Sequence, residues 1–157
     1  MEVRRRDRPF EFELDLPATH SAVRRGRQLT REFALSEGLP PAEVQTLEFV
    51  TGELLDNAVD HGGGGGAREE ADLPGDIRMG LLLQLGEGEW ALTVSDQGGG
   101  SPEPIRLLLE PPDGVPDLGD ERGRGFFLLR GLVDEITVAR TPDGAGLAIR
   151  ASNGYGT

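Results

Sequence analysis

The stretch Ile77-Arg-Met-Gly-Leu-Leu-Leu-Gln-Leu-Gly-Glu-Gly-Glu-Trp-Ala-Leu-Thr-Val-Ser95 decides the fold. Ile77 to Leu85 and Trp90 to Ser95 read as two strands, and Gly86-Glu87-Gly88-Glu89 between them reads as a hairpin turn. Upstream the apolar period changes. From His20 to Glu37, Ala22, Val23, Leu29, Phe33 and Ala34 recur at helical spacing, with Thr19 placed to cap the helix and Gly38 to end it. Leu39-Pro40-Pro41 opens a second helix, since proline suits a first turn. This helix runs to about His61, with Val44, Leu47, Val50, Leu54, Leu55 and Ala58 on its apolar side. Before both helices, Phe10 to Leu16 alternates apolar and acidic residues, the pattern of a half-exposed strand.

Downstream, Phe126 to Val133 predicts a short helix. Glu135 to Ala139 and Gly146 to Ala151 predict two strands around Pro142-Asp143-Gly144. The order is strand, two helices, two strands, loop, short helix, two strands. That is an α+β chain: a two-layer α/β sandwich with a mixed, mostly antiparallel sheet and helices on one face. A length of 157 residues fits one domain. Residues 1–9 read as a flexible leader and residues 10–157 as the single domain. Residues 62–76 read as a glycine-rich loop. Residues 96–122 read as a long Pro/Gly/Asp-rich connection, of a length that is functional or disordered in compact domains.

Composition removes several classes. The 16 basic residues are outnumbered by 28 acidic ones, for a net charge of −12. A duplex-DNA binder must neutralise many phosphates, so direct nucleic-acid binding is disfavoured. Cysteine is absent, which excludes disulfide scaffolds, thiolate metal sites and cysteine nucleophiles. No apolar run approaches the roughly 18 residues of a membrane span. The expectation is a soluble, acidic, cytoplasmic protein. All the basic residues are arginine, so the lysine required by a P-loop or a protein-kinase fold is missing.

Three segments carry candidate chemistry. Glu53, Asn57 and His61 fall along one helix face, four residues apart. The plain reading is a solvated polar stripe. The sharper one is a metal–phosphate site, because an Asn amide oxygen suits Mg²⁺ and a Glu one turn earlier is placed to act as a general base. Asp96-Gln97-Gly98-Gly99-Gly100 follows an apolar strand. It is either an ordinary turn or a fixed acceptor beside glycines that let a flat ligand approach backbone. Arg122-Gly123-Arg124-Gly125 stands directly before the third helix. It is either a capped turn with solvated arginines or an anion site at a helix start. Each plain reading explains its own segment; none explains their order and spacing.

Together the three segments resemble the histidine-kinase-like (GHKL) ATPase superfamily with its Bergerat ATP-binding fold. The branch they most resemble is the anti-sigma-factor serine/threonine-protein kinases. Glu53-Leu-Leu-Asp-Asn57-Ala-Val-Asp-His61-Gly62 is similar to the asparagine box, and Asp96-Gln-Gly98-Gly-Gly100 to the first glycine box. Gly123-Arg-Gly125-Phe-Phe-Leu-Leu-Arg-Gly-Leu-Val-Asp134-Glu135-Ile is similar to the second. The resemblance covers residues 10–152. It implies ATP and Mg²⁺, with Asn57 coordinating the ion and Glu53 as the catalytic base toward a serine hydroxyl. It also implies Asp96 on the adenine amine, Gly98 and Gly100 around the adenine, and Gly123, Arg124 and Gly125 on the phosphates, under a lid at 101–122. The implied partners are a sigma factor and an anti-anti-sigma (STAS) protein, in a homodimer without nucleic acid or membrane. The alternative is a nucleotide-dependent regulatory binding module without significant kinase activity. One departure stands out: where the family's last strand often carries a threonine near the adenine, this chain has Gly146-Leu147. His20 reads as a helix-start surface residue, and Trp90, Phe126 and Phe127 as core.

Overall fold

The computed structural model describes residues 2–4, 10–62, 77–98, 102–109 and 121–155. In chain order the elements are β1 (Glu2–Arg4), β2 (Glu11–Pro17), α1 (His20–Ser36), α2 (Pro41–Gly62), β3 (Arg78–Gly86) and β4 (Glu89–Ser95). They continue with α3 (Glu103–Leu109), α4 (Glu121–Leu132), β5 (Glu135–Arg140) and β6 (Leu147–Gly154). The strands form one sheet in the order β1-β2-β3-β4-β6-β5. Helices cover one face, as the α+β reading expects.

Every strand pairing among the described residues is antiparallel, so the expectation of a mixed sheet is corrected. α1 and α2 run in opposite directions, so the chain reverses three times on the way from β2 to β3, before α1, between the helices and after α2, and β3 returns opposite to β2. Three further differences follow, the first two of them at proline and glycine. The segment read as one long connection contains α3, which begins with Glu103-Pro104. Proline is tolerated in a first turn because the amide protons it lacks have no helical partner there. The helix expected from Phe126 starts at Glu121 and runs through Gly123 and Gly125. Glu2–Arg4, inside the expected leader, pair with β2 as β1.

Local signals explain the other boundaries. Ala22 N–H donates to Thr19 Oγ1 at 3.2 Å, capping α1. Gly38, with φ of +84°, turns the chain out of it. The β3–β4 register pairs Gly86 with Glu89 around a two-residue turn, with Gly88 at φ +71°. On the inner sheet face Leu14, Leu16, Leu81, Leu83, Leu92 and Ile149 meet Leu47, Val50, Leu54 and Leu55 of α2 in one buried cluster. Each such side chain contributes about 1.5–3 kcal/mol of burial. The outer face is polar: Arg78 Nε donates to Asp15 Oδ1 at 3.1 Å, and Gln84 Nε2 to Glu11 Oε1 at 3.2 Å. No helix among the described residues is long and apolar enough to cross a membrane.

The helix layer is held close. A Cβ on Gly26 would stand 2.7 Å from Leu55 Cδ1, and one on Gly52 would stand 2.9 Å from Arg27 Cδ. The bare backbones therefore let α1 and α2 pack tightly. Arg27 and Arg31 both reach Glu48 across the seam, at 3.7 and 3.6 Å. At the other margin, Glu43 in the first turn of α2 accepts from Trp90 Nε1 at 3.0 Å and from Asn153 Nδ2 at 2.7 Å, both on Oε1. Replacing Glu43 with Ala leaves both donors without that acceptor. The expected loss is about 1–3 kcal/mol, read as a lower urea midpoint; an unchanged midpoint would mean that neither bond stabilises the fold.

Candidate active site

α2 runs from its Glu43 tie over the sheet, because Leu47, Val50, Leu54, Leu55, Ala58 and Val59 are all buried along it. Asn57 lies about 21 Å from Glu43 along a helix rising 1.5 Å per residue. Asp96 lies about 20 Å beyond Trp90 along a strand rising about 3.3 Å per residue. The two lengths match, so both groups reach the same end of the molecule. Asp96 stands two residues beyond the buried Val94, and strand alternation puts it on the helix-covered side.

Glu53 and Asn57 are half-buried, one turn apart on α2. Glu53 faces α4: a Cβ on Gly125 would lie 3.1 Å from Glu53 Oε2. A side chain there would crowd the carboxylate, which accounts for a glycine inside a helix despite its cost of about 1 kcal/mol. The early start of α4 changes the expected anion site. Gly123 and Arg124 fall among the first four residues, whose N–H groups have no helical acceptor. Gly125 is the fifth and lies beyond them. Arg124 is exposed.

Asp96 is 9% exposed. Its Oδ1 accepts from Gly98 N–H at 3.0 Å and from Leu147 N–H at 3.2 Å. Its own N–H donates to Leu147 O at 2.9 Å. Among the described residues two backbone donors reach Oδ1 and none reaches Oδ2. Gly146 makes this approach possible. A Cβ at 146 would stand 1.9 Å from Asp96 O and 2.7 Å from Asp96 Oδ1. A threonine at that place has no room, which gives the departure in the last strand a steric cause. Gly100 and the residues between α3 and α4 lie outside the described residues, as does the 63–76 segment.

The family model for the histidine kinase-like ATPase domain matches residues 16–152. The chain belongs to that family. No curated protein sequence shows significant similarity to it. Two solved structures are similar in fold. One contains the RsbU and RsbW domains of a Mycobacterium tuberculosis protein, with TM-score 0.58 and 18% identity over 92% of this chain and 32% of that one. The chain therefore spans about a third of that protein. The other is the SiaB–SiaC complex from Pseudomonas aeruginosa, with TM-score 0.58 and 16% identity over 89% of this chain and 88% of that one.

Sequence reasoning missed several features of this histidine kinase-like ATPase domain. His20 starts α1, as read, but it also meets α2. Its Nδ1 lies 3.4 Å from Asp56 Oδ1 and its Nε2 3.0 Å from Asp60 Oδ1, so it sits between two carboxylates of α2. Burial holds the Asp56 carboxyl above the ordinary carboxylate range. Asp60 adds to the rise, while His20 and Arg27 oppose it. The signal was the Asp56/Asp60 spacing of four. Phe127 is not core: it is 48% exposed while Phe126 is 3%. Adjacent helix positions point about 100° apart, so only one faces the core. His61 lies in α2, and its side chain is outside the described set. No group of three or more His, Asp or Glu side chains among the described residues is arranged to hold a metal ion.

Gly146→Ala is expected to cost at least about 1–3 kcal/mol, because the methyl meets backbone that cannot yield. Gly131→Ala, in open space on α4, is the control, neutral or stabilising by up to about 1 kcal/mol. Thermal melts of the two variants compare them directly; equal melting temperatures would contradict the close approach at Asp96.

Proposed function

We propose that this chain is an ATP-binding anti-sigma regulatory protein of the serine/threonine kinase type. In this reading it phosphorylates a STAS-type anti-anti-sigma partner and sequesters a sigma factor. The observation that carries the reading is the Glu53 carboxylate set against the bare backbone of Gly125, one turn from Asn57. A base candidate thus stands where α2 meets the glycine-bearing turn of α4. The likeness to structures described by RsbW domains and by a SiaB–SiaC complex supports the regulatory setting.

The residues present fit the nucleotide and its ion. Asn57 offers the hard amide oxygen that Mg²⁺ accepts beside water and phosphate oxygens. Asp96 offers a nearly buried carboxylate oxygen for the adenine amine, flanked by Gly98 and Gly100. Gly123 and Arg124 would hold phosphate oxygens, Arg124 by charge and the first-turn N–H groups by their dipoles, while Gly125 leaves room for the Glu53 carboxylate. Bound Mg-ATP supplies the phosphoryl group. Glu53 would take the proton from the acceptor serine hydroxyl, and the remaining residues position and neutralise. An acidic chain suits a basic, DNA-binding partner such as a sigma factor. Cytoplasmic location and a homodimer complete the reading.

The test mixes the protein with Mg-ATP and a STAS-type protein and assays phosphoserine. Glu53→Ala is expected to keep ATP affinity within about threefold and to lower transfer by about 10²–10⁴. Asn57→Ala and Asp96→Asn are expected to lose nucleotide binding by calorimetry. Binding without transfer to any STAS-type protein would favour a nucleotide-gated sequestering module, and unchanged affinity in both variants would overturn the site.

A further inference from the structure

The β5–β6 connection is closed around one hydroxyl. Thr141 Oγ1 donates to Asp143 Oδ1 at 2.6 Å and accepts from Gly146 N–H at 3.1 Å. Asp143 Oδ1 also accepts from Ala145 N–H at 3.0 Å. Thr141 N–H donates to Gly146 O at 2.9 Å, and Gly144 N–H to Thr141 O at 2.8 Å. Gly144 takes φ of +74°, which the turn requires. The Thr141 hydroxyl, and next the Ala145 N–H, hold the Asp143 carboxyl below the ordinary carboxylate range, as a bond to the ionised form does.

The next residue after Gly146 is Leu147, whose N–H aims Asp96 Oδ1. One peptide unit separates the bond made by the Thr141 hydroxyl from the bond that orients the Asp96 carboxylate. Rotating that unit would withdraw Leu147 N–H from Asp96. A Cβ at 146 would stand 1.9 Å from Asp96 O, so the unit already lies against the Asp96 backbone.

We propose that Thr141 is a positioning residue that acts through Gly146 and Leu147 to fix the Asp96 carboxylate, and thereby sets the preference for adenine over guanine. This rests on the reading of Asp96 given above. Adenine offers an amine donor where guanine offers a carbonyl acceptor. A carboxylate held in one orientation attracts the first and repels the second, and one free to turn discriminates less.

The experiment compares ATP and GTP affinities by calorimetry for the wild type, Thr141→Val and Thr141→Ser, each checked as folded by circular dichroism. Valine keeps the shape and removes the hydroxyl. The ATP-to-GTP affinity ratio is expected to fall about tenfold in Thr141→Val and to return to within about threefold of wild type in Thr141→Ser. If the valine variant does not fold, Asp143→Ala, at an exposed turn position, removes the hydroxyl's acceptor and is expected to lower the same ratio. A lower melting temperature with an unchanged ratio, in whichever variant folds, overturns the proposal and leaves Thr141 a purely structural turn residue. A wild type that binds both nucleotides equally overturns the reading of Asp96 and this inference with it. A wild type that prefers ATP while the variant ratio stays unchanged overturns the positioning role alone.

Discussion

One carboxylate oxygen of Glu43, accepting hydrogen bonds from both Trp90 and Asn153, fixes where α2 begins on the sheet. The helix then has to run over β4, because its apolar stripe is buried as far as Val59. Its length therefore sets the depth at which Glu53 and Asn57 arrive. The strand beneath it carries Asp96 to a similar depth. The site is thus defined by two rulers of different pitch sharing an origin far from the chemistry. The seam between α1 and α2 serves the same end. Gly26 and Gly52 let the helices approach, and Glu48 ties two arginines across them.

Much of the fold was legible because single interactions signal it locally. Thr19 caps α1, Gly38 ends it, and Gly88 closes the hairpin; each is a residue whose own backbone or side chain dictates the turn. Strand alternation in Phe10 to Leu16 translates directly into the buried Phe12, Leu14 and Leu16. What was not legible depends on partners distant in sequence. Gly125 looks like a helix breaker until Glu53 is placed beside it. Pro102 and Pro104 look like loop residues until Ile105 and Leu109 are seen buried in the core. The antiparallel course of the whole sheet depends on the strand order, with β6 inserted between β4 and β5, which no single segment displays.

The candidate site divides in the same way. Residue types and spacing marked Glu53, Asn57, Asp96 and Gly125, and the fold draws Glu53 to Gly125 and Asp96 to Leu147. The supporting residues were not marked. Gly146 reads as the start of a strand, where the family often has a threonine, and only its distance to the Asp96 carbonyl gives it a role. His20 reads as a helix-start residue, and only the tertiary approach of α1 to α2 sets it between Asp56 and Asp60. First-contact residues carry chemical identity in their side chains. Those that aim them act through backbone, where side-chain identity is almost silent.

α4 buries Phe126 and Leu129 yet leaves Phe127, Leu128 and Leu132 open, and α3 leaves Leu107 exposed. At neutral pH copies carrying a charge of −12 repel one another, which opposes contact between such oily surfaces. Acidification toward about pH 4 neutralises the carboxylates and removes that repulsion while the greasy helix remains. Colloidal stability, and not only folding, therefore sets the acidic limit at which this protein can be handled.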